Sequence, residues 1–203
     1  MASQVDVFNR ALVIIGEKRV SSPSEDTKAA RELSAIWDTT REGLLRAYRW
    51  SFAMKRAQLA PLATPPAWGF SLQFPLPSDF LRLDQAGDFF VGLSTADYVG
   101  ASEAAYAIER STSGRVILTD MQNPLNIRYV SNVTVPTEFD PLFTEALAAK
   151  LGLDAGAALT DSSSKVEKAE RAFERAIAAA IRVNAIERPP ETQPDGAWVA
   201  ARL

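Results

Sequence analysis

Carboxylates are the main source of chemistry in this sequence, because the chain contains no cysteine and no histidine. This composition removes the Ser-His-Asp triad, the Cys-His pair, disulfides and the most common zinc ligands. Two carboxylates are sufficient for glycoside hydrolysis, and the candidates are Glu17, Asp79, Asp84 and Asp88. Their spacing singles out no pair, so we interpret them as turn-capping, hydrated acids and expect no catalysis, cofactor or metal.

The bulk composition is that of one globular domain, or of one domain with an insertion. Apolar residues make up 47% of the 203 residues and charged residues 23%. The net charge of −3 argues against a general nucleic-acid binder, which needs a basic surface to displace phosphate counterions. No apolar run approaches the roughly 20 residues of a membrane span, and the first residues do not resemble a signal peptide. The sequence therefore predicts a protein that is made and kept in the cytoplasm, or in a particle assembled there.

The segment 44–62 is the stretch around which the neighbouring elements must pack. It begins as helix, takes the spacing of a strand from about Ser51, and ends at prolines. Large aromatic residues near this junction can be interface anchors or core residues. For Trp37, Trp50 and Phe52 we favour the core.

Two helices are predicted before residue 60 and two after residue 135. Capping boxes pair Ser3 with Asp6 and Ser164 with Glu167. The sequences Ser22-Pro23-Ser24-Glu25 and Asp140-Pro141 each combine a cap with a proline at the first helical position. The helices are expected over residues 4–15, from about Ser22–Thr27 to Tyr48, from Asp140 onward, and from Ser164 to about Ala185. Gly152 and Gly156 predict close contact between helices.

Residues 60–135 have a different pattern, with six prolines that exclude long helices. Ser111–Gly114 is typical of a hairpin turn. The predicted strands are Trp68–Phe74, Leu81–Asp84, Phe89–Leu93, Tyr106–Arg110, Arg115–Leu118 and Ile127–Val133.

The fold class expected from these patterns is α+β, mainly α. Residues 1–59 and 136–185 form a four-helix bundle in this interpretation, and residues 60–135 are a β-rich insertion between helices 2 and 3. Residues 186–203 contain three prolines and an apolar tip. They are predicted to form an extended C-terminal arm.

The order of several short motifs resembles the tail tubular protein A family of short-tailed bacteriophages, the head-to-tail adaptors. The resemblance covers roughly residues 4–185 and rests on the order and spacing of the motifs. They are Ala11-Leu12 through Ile15-Gly16-Glu17, Leu44-Leu45, Trp50-Ser51-Phe52-Ala53, Arg56-Ala57, Leu59, Leu76-Pro77-Ser78-Asp79, Leu81-Arg82-Leu83, Thr119-Asp120, Tyr129 and Phe139–Leu151.

This resemblance implies a structural subunit of the virion neck that is assembled in the host cytoplasm. Copies of such adaptors form a twelvefold ring beneath the portal protein. The ring extends the channel for genomic DNA, without sequence specificity, and seats a tail nozzle similar to tail tubular protein B. No membrane is involved.

Two groups of site residues follow. The arm would reach the portal through Pro189, Pro190, Trp198, Val199 and Leu203, although these positions match no motif of the family. Arg46, Arg49, Lys55 and Arg56 could face DNA in the channel. The alternative is that these four are solvated or paired with neighbours such as Asp38 and Glu42.

Two other functions are kept open. One is a virion-associated peptidoglycan hydrolase that uses paired carboxylates. The other is an unrelated helical adaptor that binds a partner through its C-terminal tail.

Overall fold

The computed structural model describes residues 3–87, 89–90, 106–112, 114–121 and 123–187. Within them the fold is α+β, as predicted, with four α-helices and two small antiparallel sheets. The chain divides into two compact units, which are described separately. The helical unit contains residues 3–53 and 132–187, and the β unit contains the described residues between 54 and 131. None of the helices in the described part is both long and apolar enough to span a membrane.

The four helices are α1, Gln4–Ile15; α2, Lys28–Ala47; α3, Pro141–Leu159; and α4, Ser163–Ile186. Two of the predicted start signals are confirmed. Ser3 and Asp6 form the capping box of α1, and the Asp140 carboxylate accepts hydrogen bonds from the Leu142 and Phe143 amides at the start of α3. Gly16 ends α1 in the left-handed region, where a residue without Cβ is favoured.

The other two start signals are wrong. Glu25 does not support a helix start at Ser22, because its carboxylate accepts hydrogen bonds from the amide and hydroxyl of Ser21 and closes a turn. Thr27 caps α2 instead, with its hydroxyl accepting from the Ala30 amide. Ser164 does not cap α4, since the helix already begins at Ser163.

Helix α3 lies at the centre of the helical unit and contacts the other three helices. Its two glycines make this closeness possible, as the sequence predicted. A Cβ on Gly152 would come within 3.1 Å of the Ala11 carbonyl oxygen, and one on Gly156 within 3.3 Å of Val166 Cγ2. Larger residues at these positions would force α1 and α4 away from α3.

Helix α4 is less buried than its apolar stripe predicted. Its fully buried side chains in the described structure are Ala169 and Ala180. Phe173, expected in the core, is half-buried, and the Lys150 ammonium lies 5.8 Å from its ring centroid. The stripe packs on α3 and α1 but is not itself the centre of the core.

Aromatic rings fill the place where the chain leaves and re-enters the helical unit. Trp50 is 1% exposed and its ring lies 5.1 Å from that of Phe143, at a steep angle. Phe52 lies 5.0 Å from Phe143, and Phe139 lies 5.2 Å from Phe143. The expectation that Trp37 and Trp50 are core residues is confirmed, because both are buried. Phe52 is half-buried within the same cluster.

The β unit contains two antiparallel sheets. One has the strand order β1-β7-β3-β4 and the other the order β2-β6-β5. Residues from both sheets, including Phe74, Leu83 and Tyr129, share one apolar core. The strands are β1, Met54–Leu59; β2, Leu72–Pro75; β3, Phe80–Ala86; β4, Phe89–Phe90; β5, Ala107–Ser111; β6, Gly114–Thr119; and β7, Leu125–Ser131.

Several strand boundaries differ from the prediction. Strand β1 was assigned to the helical bundle, but it pairs along its whole length with β7. The strand expected from Trp68 begins at Leu72, because Gly69 has a φ of 88° and interrupts extended backbone. The predicted hairpin between β5 and β6 is present, with Ser111 opposite Gly114. Of the predicted strand Phe89–Leu93, residues 91–93 lie outside the described structure.

Replacing Phe143 by alanine tests the aromatic cluster. Phe143 is fully buried and touches three other rings, so Phe143→Ala should lower the free energy of unfolding by about 3–5 kcal/mol. Phe173→Ala is the matched control and should cost clearly less, because its ring is half-buried. Urea denaturation followed by helical circular dichroism measures both. A loss below about 1 kcal/mol for Phe143→Ala would contradict a core at the junction.

Candidate functional site

The four basic residues proposed for a channel do not lie on one element. Arg46 is exposed in the last turn of α2, and Arg49 follows this helix and is half-buried. Lys55 and Arg56 are exposed residues of β1 in the β unit. The acids proposed as alternative partners, Asp38 and Glu42, pair with the buried guanidinium of Arg41.

Strand geometry also separates Lys55 from Arg56. Successive side chains of a strand point to opposite faces of the sheet. Lys55 is opposite Tyr129 in the β1–β7 register, whereas Arg56 is opposite Arg128. The sequence therefore gives a run of basic residues, but the strand places its last two members on different faces.

Asp79 connects the turn before β3 to the sheet. Its carboxylate accepts one hydrogen bond from Lys55 Nζ at 2.7 Å and another from the Tyr129 hydroxyl at 2.9 Å. Burial alone would raise the pKa of Asp79, but these hydrogen bonds outweigh it, so the pKa lies below its ordinary value. Asp79 is therefore ionised at neutral pH and unsuited to be a general acid, which requires a raised pKa.

Tyr129 carries the opposite shift. Burial and the hydrogen bond to Asp79 raise the pKa of Tyr129 to about 12. Its ring stacks on Phe80 at 5.7 Å between centroids, and the Arg115 guanidinium lies 5.0 Å from the Phe80 centroid on the same unit. The phenol stays protonated at neutral pH and acts as a hydrogen-bond donor to Asp79.

The other candidate carboxylates have separate partners. Asp84, whose side chain is 2% exposed, pairs with Arg128 Nε at 2.6 Å. Glu17 of the helical unit pairs with Lys165 Nζ at 3.0 Å. Asp88 lies outside the described residues. Each described candidate thus faces its own cation, and the geometry of these residues brings no two of them together as an acid and a base.

Arg56 borders a recess of about 350 Å³ on the β unit. Guanidinium and amide side chains surround it. Gln58 donates to Asn126 at 3.1 Å, and Arg56 forms no ion pair with any residue in the described ranges. Such a recess offers a guanidinium for stacking and amides for hydrogen bonds. The residues that line the recess include Arg56, Gln58, Gln85, Gly87, Asn126 and Arg128.

The sequence interpretation missed Arg128 and Asp84 as an ion pair because their pairing depends on the neighbouring strands β7 and β3. It also placed Trp68 in a strand, although this residue lies on a loop between Pro66 and Gly69. The prolines and the glycine were the signal for a loop. Proposed portal-binding residues Pro189, Pro190, Trp198, Val199 and Leu203 lie outside the described structure.

The described residues contain no cluster of three acids that could hold a metal ion. In comparisons with known proteins, the chain matches no protein-family model, and no curated protein matches it.

Replacing Asp79 by asparagine tests the role of this carboxylate in stability. Its pKa in the folded protein is lowered, so it stabilises the fold at pH values above the ordinary aspartate pKa of about 4. That contribution is lost as the pH falls through the lowered value. Asp79→Asn should cost about 1–2 kcal/mol at neutral pH and should flatten the decline of stability below about pH 4.

Urea denaturation at a series of pH values measures this effect. Glu109→Gln, on an exposed position of the same unit, is the control and should leave the profile unchanged. An Asp79→Asn profile parallel to that of the wild type would show that the carboxylate contributes nothing to acid sensitivity.

Proposed function

We propose that this chain is a structural head-to-tail adaptor subunit of a phage virion. In this proposal the copies form a twelvefold ring between the portal protein and a tail nozzle, and the ring extends the channel for genomic DNA. The subunit is not an enzyme and needs no cofactor. Its place is the neck of the virion, after assembly in the host cytoplasm.

The observation that carries this proposal is the order of the elements along the chain. Two helices precede a β unit and two follow it, in the order of the motifs that resemble the adaptor family. We further propose that the four helices form a bundle and that the β unit is an insertion in it. The central position of α3, which contacts the other three helices, supports this arrangement.

The hydrogen bonds and ion pairs of the carboxylates favour this function over the peptidoglycan hydrolase. Asp79 is held ionised by Lys55 and Tyr129, Asp84 is buried against Arg128, and Glu17 pairs with Lys165. A hydrolase needs one carboxyl with a raised pKa close to a second carboxylate. Each of these acids instead stabilises its own part of the fold.

The remaining site assignments belong to the proposal. The segment 186–203 would dock on the portal through its prolines and through Trp198, Val199 and Leu203. Large aromatic residues often dominate binding energy, and repetition around a ring multiplies a weak contact. Arg46 and Arg49 are the basic residues that we propose to face the channel. Lys55 is a weaker candidate because Asp79 already neutralises it.

Truncation of residues 187–203 tests the portal contact. The cores seen in the described helical and β units consist of residues before 187, so thermal melting is expected to stay nearly unchanged. Decoration of portal-bearing capsids, measured by pull-down, should be lost. Trp198→Ala should weaken it strongly, and Ile108→Ala, which removes an exposed apolar side chain of the β unit, is the control. If the truncated protein still decorated portals at the wild-type level, the arm would not be the portal contact. The helices would have to make that contact instead.

Imaging the decorated portals tests the ring itself, and the expected symmetry is twelvefold. The hydrolase alternative is tested on bare peptidoglycan, where turbidity should not fall when the protein is added. Clearing of the suspension that disappears in Asp79→Asn or Asp84→Asn would overturn the structural proposal in favour of the enzyme.

A further inference from the structure

Trp68 is the most exposed large apolar side chain among the described residues, at 86%. Tryptophan is usually largely buried, because its ring removes about 150–250 Å² from water when it packs. An isolated indole in solvent gains none of this stabilisation. Its exposure leaves the whole ring available for contact with another molecule.

The loop that carries Trp68 is held in place at its base. Leu62 donates its amide to the Gln73 carbonyl at 2.8 Å. Asp120 accepts hydrogen bonds from the Ser71 amide at 2.7 Å and from its hydroxyl at 2.6 Å. Pro65 and Pro66 restrict the backbone further. The indole is therefore displayed in a prepared conformation, which lowers the entropy lost on binding.

Charge limits what this loop can recognise. The sequence from Leu59 to Ser78 contains no charged residue. A nucleic-acid contact needs cations near the phosphates, and a membrane-surface contact usually combines aromatic residues with lysine or arginine. A neutral loop with one prominent indole fits a recess on a protein, where stacking and burial supply the energy.

The β unit itself contains a recess that fits such a side chain. Its volume is about 350 Å³ and Arg56 stands at its edge without an ion-pair partner among the described residues. A guanidinium over an indole face is the most favourable cation–π pairing that side chains offer. Gln58 and Asn126 supply amide oxygens that can accept from the indole N–H. The recess of the same chain does not hold Trp68, since that side chain is exposed.

We propose that Trp68 of one copy inserts into the Arg56 recess of a second copy. The two surfaces are different, so the contact is heterologous, and repetition of a heterologous contact closes a ring when the rotation permits. This inference rests on the proposed function, because it assigns the contact between neighbouring subunits of the ring. Each copy contributes one indole and one recess.

Sedimentation of the full chain over a wide concentration range tests the contact. Trp68→Ala should weaken self-association by about 30-fold or more, as expected for a buried aromatic anchor. Arg56→Gln should weaken it as well. Ile108→Ala and Arg110→Gln are the controls, because they change an exposed apolar residue and an exposed basic residue of the β unit outside both surfaces. Neither should change self-association. All four variants should melt like the wild type.

Mixing the two defective variants tests whether the indole of one copy pairs with the recess of another. A Trp68→Ala subunit keeps its recess, and an Arg56→Gln subunit keeps its indole. The mixture should stop at one-to-one pairs, because a single intact contact remains between them. A reciprocal contact through a two-fold axis would also give one-to-one pairs in this mixture, but it would stop the wild type at dimers. The heterologous contact lets the wild type form larger assemblies, so a wild type that stops at dimers would overturn it.

Disulfide trapping gives an independent readout, since the chain has no cysteine of its own. Ala67→Cys and Gln58→Cys, made in separate chains, should cross-link to each other on oxidation and not to themselves. In the double variant they should give a ladder of linked subunits. An intrachain bond in that variant would mean that the loop reaches its own recess, and the proposal would be overturned.

Several other results would also overturn the proposal. These are a wild-type chain that stays monomeric at its highest soluble concentration, self-association that Trp68→Ala does not change, and a Trp68→Ala defect confined to binding of lipid vesicles or single-stranded DNA. If Trp68→Ala subunits still formed rings on portals, the Trp68 contact would be wrong, but the adaptor function would not be affected. If the wild-type protein formed no ring on portals, the proposed adaptor function itself would be wrong.

Discussion

The contact on which the rest of the structure depends is the packing of Trp50 and Phe52 against Phe143. These residues stand where the chain leaves the helical unit for the β unit, and Phe139, where it has just returned, joins the same cluster. The Trp50 indole N–H donates to the Leu44 carbonyl at 2.9 Å, so the ring also satisfies the open end of α2. Two distant parts of the sequence are held together here by ring faces and edges, which add about 0.5–1.5 kcal/mol per pair beyond burial.

Polar contacts fix the same crossing points. Asn184 near the end of α4 donates to the Arg49 carbonyl and accepts from the Ser51 amide at 2.7 Å. On the returning side, the buried guanidinium of Arg41 donates to Asn132 at 3.2 Å, the first residue of the second helical segment. Removing one partner of a buried charged group leaves an uncompensated charge, which is strongly destabilising. The unit thus specifies where its chain exits and returns by directional bonds, and the aromatic rings supply the burial.

Local signals in the sequence predicted much of this fold, and contacts distant in sequence account for what was missed. The Ser3 capping box and Asp140-Pro141 depend on neighbours within a turn, so their patterns were sufficient. At Ser22 the same kind of pattern failed because Glu25 bonds back to Ser21. Strand β1 was assigned to the wrong unit because its pairing with β7 joins residues about 70 positions apart, as in Arg56 and Arg128. The partners of the carboxylates depend on this register and could not be predicted.

The described tryptophans show how sequence context decides whether an indole ring is buried. Trp37 and Trp50 lie within or next to helical periodicity, and both are buried. Trp68 follows two prolines and precedes a glycine, so no periodic element can draw its ring into the core of its unit. A loop closed by hydrogen bonds from Leu62 and Ser71 also cannot collapse to cover it. Because its own unit gains nothing from this indole, the stabilisation that tryptophan supplies elsewhere by burial remains available to a partner surface.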